Sequence, residues 1–229
     1  MENDFIDHIN KNSLFSKDSK LLVAVSGGID SICLVSLLIE LKYNIEIAHC
    51  NFQLRSKESD EDLNFVKQFA ETNNTPFHSR SFNTNEYAKN KKISIQMAAR
   101  ELRYDWLKKL RLDIKADHIV TGHNLDDKIE TFFLNIIRGT GLKGLISMKK
   151  NNDFVVRPLI FAKRKQIEDY VRIRKIHYRE DSSNSSIKYK RNKVRHELIP
   201  LLKEFNPSVV DTIHNEIKIL ESTFLIFEN

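Results

Sequence analysis

Short apolar runs bounded by turn residues alternate along this chain with longer segments whose apolar positions recur every three or four residues. The runs at 21–25, 45–49, 77–82 and 118–121, with a weaker one at 154–156, predict strands. The periodic segments at 32–42, 57–73, 93–110, 124–138 and 163–175 predict helices, after a short amphipathic opening around Phe5, Ile6 and Ile9. This alternation predicts an α/β fold, an open and mostly parallel sheet with helices on both faces. In such a sheet ligands bind beyond the carboxyl ends of the strands, where the strand order switches direction. The last segment, 207–227, has helical spacing at Val210, Ile213, Ile217 and Leu220, yet it ends on Phe224, Leu225, Ile226 and Phe227 with no obvious partner. Residues 1–200 therefore read as one domain, and 201–229 as a helical extension, the start of a second domain that is cut short.

The end of the first strand narrows the chemistry. Ser26-Gly27-Gly28-Ile29-Asp30-Ser31 follows the apolar run Leu21-Leu22-Val23-Ala24-Val25. Two adjacent glycines let the backbone approach an anion closely, and a helix beginning near Ser31 would aim unpaired N–H groups at it. The turn is neither G-x-x-x-x-G-K-[ST] nor G-x-G-x-x-G. On local chemistry alone it is equally a phosphate cradle or a plain strand-to-helix turn.

Composition removes several classes. With 229 residues, 41% of them hydrophobic, the chain can bury a substantial core. Thirty-seven basic against 31 acidic residues give a formal charge of +6, which favours anionic partners. Cys33 and Cys50 are too few for a disulfide framework and lack C-x-x-C spacing, which fits a reducing cytoplasm. No apolar stretch approaches the roughly 20 residues that span a bilayer, so no membrane partner is expected.

Four further clusters carry polar chemistry. On the helix after Thr121-Gly122-His123-Asn124, Leu125, Ile129, Phe132 and Ile136 share a stripe, while Asp127 and Glu130 share the side turned away from it. The two acids are either ordinary helix-start residues or a site for a metal ion or an amine beside the phosphates. His49-Cys50-Asn51-Phe52-Gln53-Leu54-Arg55, at the end of the second strand, could hold a base, or its His and Asn could serve as caps. Arg100, Arg103 and Tyr104 cluster on one side of their helix, where arginine could clamp phosphate or pair with Glu101 and Asp105. Finally, Lys188, Lys190, Arg191, Lys193 and Arg195 crowd around Tyr189, with no acid between Asp181 and Glu197, a density suited to a nucleic-acid backbone or to a solvated face. The stretch 138–144 holds three of the six glycines and marks a turn or a loop crossing the site.

Taken in order, these segments resemble the tRNA(Ile)-lysidine synthetase family, a branch of the PP-loop ATP pyrophosphatases with the signature S-G-G-x-D-S. Besides Ser26–Ser31 they include Asn51-Phe52-Gln53-Leu54-Arg55, Ala99-Arg100-Glu101-Leu102-Arg103-Tyr104, Leu125-Asp126-Asp127-Lys128-Ile129-Glu130-Thr131 and Arg138-Gly139-Thr140-Gly141-Leu142. Arg157-Pro158-Leu159, Glu180-Asp181-Ser182-Ser183-Asn184 and Tyr189-Lys190-Arg191-Asn192-Lys193-Val194-Arg195 complete the set. The first motif identifies only the superfamily, whereas the ordered set is specific.

The resemblance implies that 1–200 is an ATP-binding catalytic domain. It implies ligation of L-lysine to the wobble cytidine of a CAU-anticodon tRNA(Ile), through an adenylated cytidine. By motif, Ser26, Gly27, Gly28, Ile29, Asp30 and Ser31 would bind ATP phosphates, with Asn51, Arg100 and His123 completing the cofactor site and Asp30 reaching Mg²⁺. Asp127 and Glu130 would hold lysine's amines or metal, and Arg195 would neutralise charge developing on the phosphate. Lys188, Lys190, Arg191 and Lys193 would meet the tRNA. A homodimer is left open. Where many relatives carry His-His or His-x-His before the acid pair, this chain has His123-Asn124. The alternatives are another PP-loop tRNA-modifying enzyme, such as a thiolase, or a non-catalytic tRNA-binding fragment.

Overall fold

The computed structural model describes residues 1–55, 57–146, 148, 151–180 and 190–228. Strands β1 (Lys20–Ala24), β2 (Asn44–Asn51), β3 (Phe77–Ser81), β4 (His118–Thr121), β5 (Asn151–Asn152) and β6 (Val155–Val156) form one sheet in the order β3-β2-β1-β4-β6-β5. All pairings are parallel except that of β5 with β6 at the edge, so the expected mostly parallel sheet is what forms. The chain lays β2 and β3 on one side of β1 and then returns to lay β4 and β6 on the other. This reversal puts the switch point between β1 and β4, whose last residues, Ala24 and Thr121, stand side by side.

Both faces of the sheet are covered, which is why the strands read as continuous apolar runs. Successive strand residues point to opposite faces. Leu21, Val23, Ile47, Val120 and Val156 meet helices α1 (Glu2–Lys11), α2 (Ile29–Glu40), α3 (Lys57–Thr72) and α8 (Arg164–Ile173) through Phe5, Ile9, Ile32, Val66 and Ile167. Leu22, Ala48, Ile119 and Val155 face the other way, onto Leu107 and Leu110 of α5 (Ile95–Asp113).

Helix α2 begins three residues before its apolar periodicity does, straight out of the glycine turn, so Asp30 and Ser31 lie in its first turn. Several helical stretches fall outside the hydrophobic pattern, among them a four-residue one, Leu142–Leu145, at the end of the glycine-bearing stretch read as a turn or loop. Helix α4 (Thr84–Lys91) is mostly polar, with only Tyr87 and the buried Ala88 apolar, and is started by Asn83, whose side chain accepts a hydrogen bond from the Glu86 N–H. The basic run folds as α9 (Lys190–Lys193), a π-helical turn at Val194–Leu198 and α10 (Ile199–Phe205), with Asn192 and Val194 buried beneath the charges.

A third core forms where Leu125, Ile129 and Phe132 of α6 (Leu125–Arg138) meet Val194, Ile199, and Val210 and Ile217 of α11 (Val209–Glu228). Leu145 of the short α7 (Leu142–Leu145) packs against the same cluster. The spaced residues of the last helix thus find their partner in α6, while Ile226 near its end is 77% exposed. Ile136, expected on the α6 stripe, is 48% exposed.

Candidate active site

Gly27 adopts φ +96°, a conformation open to glycine and strained for other residues. It bends the chain between β1 and α2, and its carbonyl accepts from the Arg179 N–H at 2.9 Å. Gly28 caps α2 without a side chain; its own N–H donates to Ser26 Oγ at 3.3 Å, and the cap residue offers the following N–H groups no side-chain acceptor. The Ser31 hydroxyl donates to the Gly28 carbonyl at 2.9 Å and fixes the turn's curvature. Ser26, Asp30, Ser31 and His123 line a cavity of about 200 Å³ at the switch point, together with Arg103 and Gly122. Gly28 and Asn51 line an adjoining cavity behind Ser26. The Ile29 side chain belongs to the core, so only its backbone can face a phosphate. A larger cavity of about 640 Å³, between α2, α3 and α8, contains none of the motif residues, so its size does not make it the site.

Asp30 is the best-connected residue of the turn. One carboxylate oxygen accepts from Asn124 Nδ2 at 3.0 Å and the other from Arg164 Nη1 at 2.6 Å. Burial pushes its pKa up to about 6; Arg164 and Asn124 oppose that shift, and the nearby Asp127 adds to it. Asn124 also starts α6 with a reciprocal cap. Its Oδ1 accepts from the Asp127 N–H at 3.0 Å, while Asp127 Oδ2 accepts from the Asn124 N–H at 3.1 Å. One residue thereby ties the glycine turn to the acid-bearing helix.

Of the two acids Glu130 is buried and Asp127 partly so, its side chain 15% exposed. Glu130 is 0% exposed, because Arg191 and Arg195, on successive turns of the basic segment, fold over it. Arg191 Nε donates to Glu130 Oε2 at 2.6 Å and its Nη2 to Asp127 Oδ1 at 2.8 Å. Arg195 Nε donates to Glu130 Oε1 at 2.5 Å and its Nη2 to Oε2 at 3.1 Å. Burial alone would lower the Arg195 pKa, but the hydrogen bond and charge of Glu130, with Asp127 behind, hold it above the ordinary value. The sequence groups Arg191 with the tRNA-facing lysines; the fold turns it inward beside Arg195. Lys190 and Lys193 stay exposed, and Lys188 lies outside the described residues.

Other nominated residues have plainer surroundings. His49 is buried and donates from Nδ1 to the Val25 carbonyl at 2.9 Å, with its pKa lowered by burial. Asn51 donates to Asp60 at 2.9 Å and accepts from the Gln53 N–H at 3.0 Å. His123 pairs with Thr121 Oγ1 at 2.9 Å, and burial followed by the charges of Arg157, Arg103, Arg191 and Arg100 keeps its ring neutral. Arg100 lines a separate cleft with Tyr104 and Arg157, whereas its neighbour Arg103 reaches the switch-point cavity. Burial pushes the Cys33 and Cys50 thiols up to about 12, which leaves neither as a ready thiolate.

Arg164 and Gly122 were not singled out from the sequence. Nothing local marks Arg164, which sits in a charged helix start 134 residues from the carboxylate it holds. Gly122 had a signal: it is a second glycine between a strand and a helix. A Cβ there would stand 3.0 Å from the Asp30 carbonyl carbon and oxygen and 3.1 Å from Ser31 Cα, all backbone. Gly122→Ala is expected to lower stability by about 1–3 kcal/mol through this overpacking and to weaken nucleoside triphosphate binding, read by urea denaturation and calorimetric titration. Unchanged values for both would show that the two turns do not need this close approach.

A glycine turn at the switch point of a parallel sheet, with α2 starting behind it, defines a nucleotide-binding α/β domain. Residues 1–202 match the family of PP-loop domains, and the chain belongs to that family. Among curated proteins it is 47% identical over 207 residues to a tRNA(Ile)-lysidine synthase of Porphyromonas gingivalis, covering 90% of this chain and 46% of that one. It is 44% identical over 208 residues to the tRNA(Ile)-lysidine synthase of Bacteroides thetaiotaomicron, covering 91% and 49%. The chain thus spans about half the length of the curated relatives it matches. Among solved structures, the U34-tRNA thiolase NcsA of Methanococcus maripaludis superposes with a TM-score of 0.78 at 19% identity, over 96% of this chain and 77% of that one. An NH3-dependent NAD synthetase from Campylobacter jejuni gives 0.57 at 15% identity, over 96% and 93%. Both likenesses concern the fold. Among the described residues, no helix is long and apolar enough to cross a membrane.

Proposed function

We propose that this protein ligates L-lysine to the wobble cytidine of a CAU-anticodon tRNA(Ile), spending ATP. The observation that carries the reading is an acid pair, Glu130 fully buried and Asp127 partly so, already holding two guanidinium groups next to the glycine turn. Such a pair suits an organic cation. The names of the curated relatives give tRNA(Ile) and lysidine, and L-lysine and the CAU anticodon are part of this proposal.

In the proposed reaction the cytosine ring carbonyl oxygen attacks the α-phosphorus of ATP and pyrophosphate leaves. The ε-amine of lysine, having given a proton to one of the two carboxylates or to water, then attacks the ring carbon bearing the adenylated oxygen; the C–N bond forms, that C–O bond breaks, and AMP departs with the oxygen. No enzyme nucleophile is required. The N–H groups around Gly28 and the start of α2 would receive the phosphates, with Arg103 adding positive charge from across the cavity. Asp127 and Glu130 would hold the incoming amine, exchanging part of their arginine contacts for it, and Arg195, so displaced, would be free to neutralise the developing phosphate charge.

The residues also fit Mg²⁺. Among the described residues there is no cluster of three or more metal-ligating side chains, but Mg²⁺ uses one or two carboxylates together with phosphate oxygens and waters. Asp30, desolvated and close to Asp127, is a carboxylate whose charge a cation would relieve. Bound there, Mg²⁺ would neutralise the β- and γ-phosphates as pyrophosphate leaves. Thiolation is disfavoured by the two cysteines, Cys33 buried and Cys50 half-buried, whose thiols are both held protonated.

The reading expects ATP–pyrophosphate exchange that depends on the CAU isoleucine tRNA, followed by incorporation of labelled lysine into that tRNA. Sulfur transfer to the tRNA without lysine incorporation would overturn it.

A further inference from the structure

Helix α6 carries Asp127 and Glu130, and the residue between them in sequence that faces the opposite way is Lys128. Its side chain is 8% exposed, and its Nζ donates to Glu221 Oε1 of α11 at 2.7 Å. A buried ammonium is costly without a partner, and Glu221 is the carboxylate that α11 brings to it. His214, on the same helix, is no substitute: burial and the charges of Lys218 and Lys128 push its pKa down to about 4, so it is neutral. Helix α11 meets the site's framework a second time, where Asp211 pairs with Lys163 at 2.8 Å. Lys163 precedes Arg164, which holds Asp30 through its side chain and donates its backbone N–H to Asp126 at 2.7 Å. Both partners of the Lys163 pair are about half exposed, 44% and 52%, so it adds little by itself. The Lys128–Glu221 pair, with its ammonium buried and its carboxylate 32% exposed, is the stronger tie.

We propose that α11 is a positioning strut for the acid pair, acting through the Lys128–Glu221 ion pair, whose ammonium is buried; the kinetic part of this inference rests on the function proposed above. The reason is helical geometry. Side chains on one helix turn as a unit, with about 100° between neighbours, so any rotation of α6 that frees Lys128 also swings Asp127 and Glu130 off Arg191 and Arg195. The apolar contacts of Ile129 and Phe132 with Ile217 and Val210 set the distance between the helices but tolerate small rotations. A directional ion pair does not. Residues 203–228 thus reach the chemistry from outside the segment that matches the PP-loop family, without touching substrate.

The test is a double-mutant cycle on Lys128 and Glu221. Glu221→Ala leaves the ammonium buried and unpaired, and α6 must shift to hydrate it. We expect the lysine KM to rise about tenfold, as small misplacements of a binding group do, with the ATP KM changed by less than about twofold. Lys128→Met in the Glu221→Ala background removes the stranded charge and keeps the packing, so the lysine KM should return to within about threefold of wild type. A purely structural contact would move kcat, both KM values and the melting temperature together, with no recovery in the double variant. That pattern, or an unchanged lysine KM in Glu221→Ala, overturns the proposal. If the wild-type protein forms no lysidine, the functional reading fails, and amide hydrogen exchange decides the strut. Amides of 125–133 should then exchange faster in Glu221→Ala and recover in the double variant, and equal protection in all three proteins would overturn it.

Discussion

Replacing Glu130 by alanine is expected to cost about 3 kcal/mol of folding stability, the lower end of the range for breaking a buried ion pair, and to abolish transfer of lysine. The carboxylate is fully buried, but Arg191 and Arg195 are each about a third exposed, 37% and 34%, and can turn toward water once it is gone. That is why the loss is placed at the lower end. Glu130→Gln separates the two effects. Its amide keeps one acceptor oxygen but points two N–H donors at guanidinium groups that have only donors. Stability should fall less than in the alanine variant, while lysine incorporation should fall by at least about 100-fold, as for a lost charge-assisted contact made in the transition state. Pyrophosphate exchange, which precedes lysine, should survive better than incorporation in both variants. Urea denaturation and the two assays measure this, and exchange lost in parallel with incorporation would place Glu130 in adenylation instead.

Much of the framework was legible because the sheet is buried on both faces. Runs such as Leu21–Val25 must be apolar throughout, and the five strands expected from such runs are present to within a few residues. The acid pair was legible as a pair, since residues three apart share a helix face. Its environment was not. Whether Glu130 faces water or protein depends on the segment carrying Arg191 and Arg195, 61 and 65 residues further on, and that segment has too many charges to show an apolar stripe. For the same reason α9 and α10 were not anticipated, although Val194 and Ile199 anchor them in the third core. Arg164 illustrates the limit of local reading. Its role comes from α8 and α6 starting side by side, where the Leu125 N–H donates to the Ala162 carbonyl at 2.9 Å, a tertiary fact without a sequence pattern. Asn124 carries a half-signal: an Asn ahead of an acid three residues later predicts a capping box, but not the second bond that its Nδ2 makes to Asp30.

Asp30→Asn should abolish adenylation and yet make the protein more stable at neutral pH. Asp30 has an ordinary pKa of 3.8, raised in the folded protein to about 6, chiefly by burial. Folding thus favours its protonated form. The stability linked to this proton is fully present below pH 3.8 and is lost as the pH rises through about 6, because the unfolded chain ionises first. At 1.36 kcal/mol per pKa unit, the ionised carboxylate costs the fold on the order of 2–3 kcal/mol at pH 7.5. Asparagine escapes that cost but loses the ion pair with Arg164, whose side chain is 38% exposed and can be hydrated. The stability gap between Asp30→Asn and wild type should therefore widen by ~2 kcal/mol between pH 4 and pH 7.5 in urea denaturation. A gap that stays constant across that range would mean that Asp30 is not desolvated. Activity should run the opposite way: in the wild type, kcat/KM for ATP rises as the pH climbs to about 6 and then levels off, since only the ionised carboxylate can attract a cation. The desolvated charge that weakens the fold is thus the one that a bound cation would stabilise. Mg²⁺ with ATP should accordingly raise the melting temperature of the wild type more than that of Asp30→Asn.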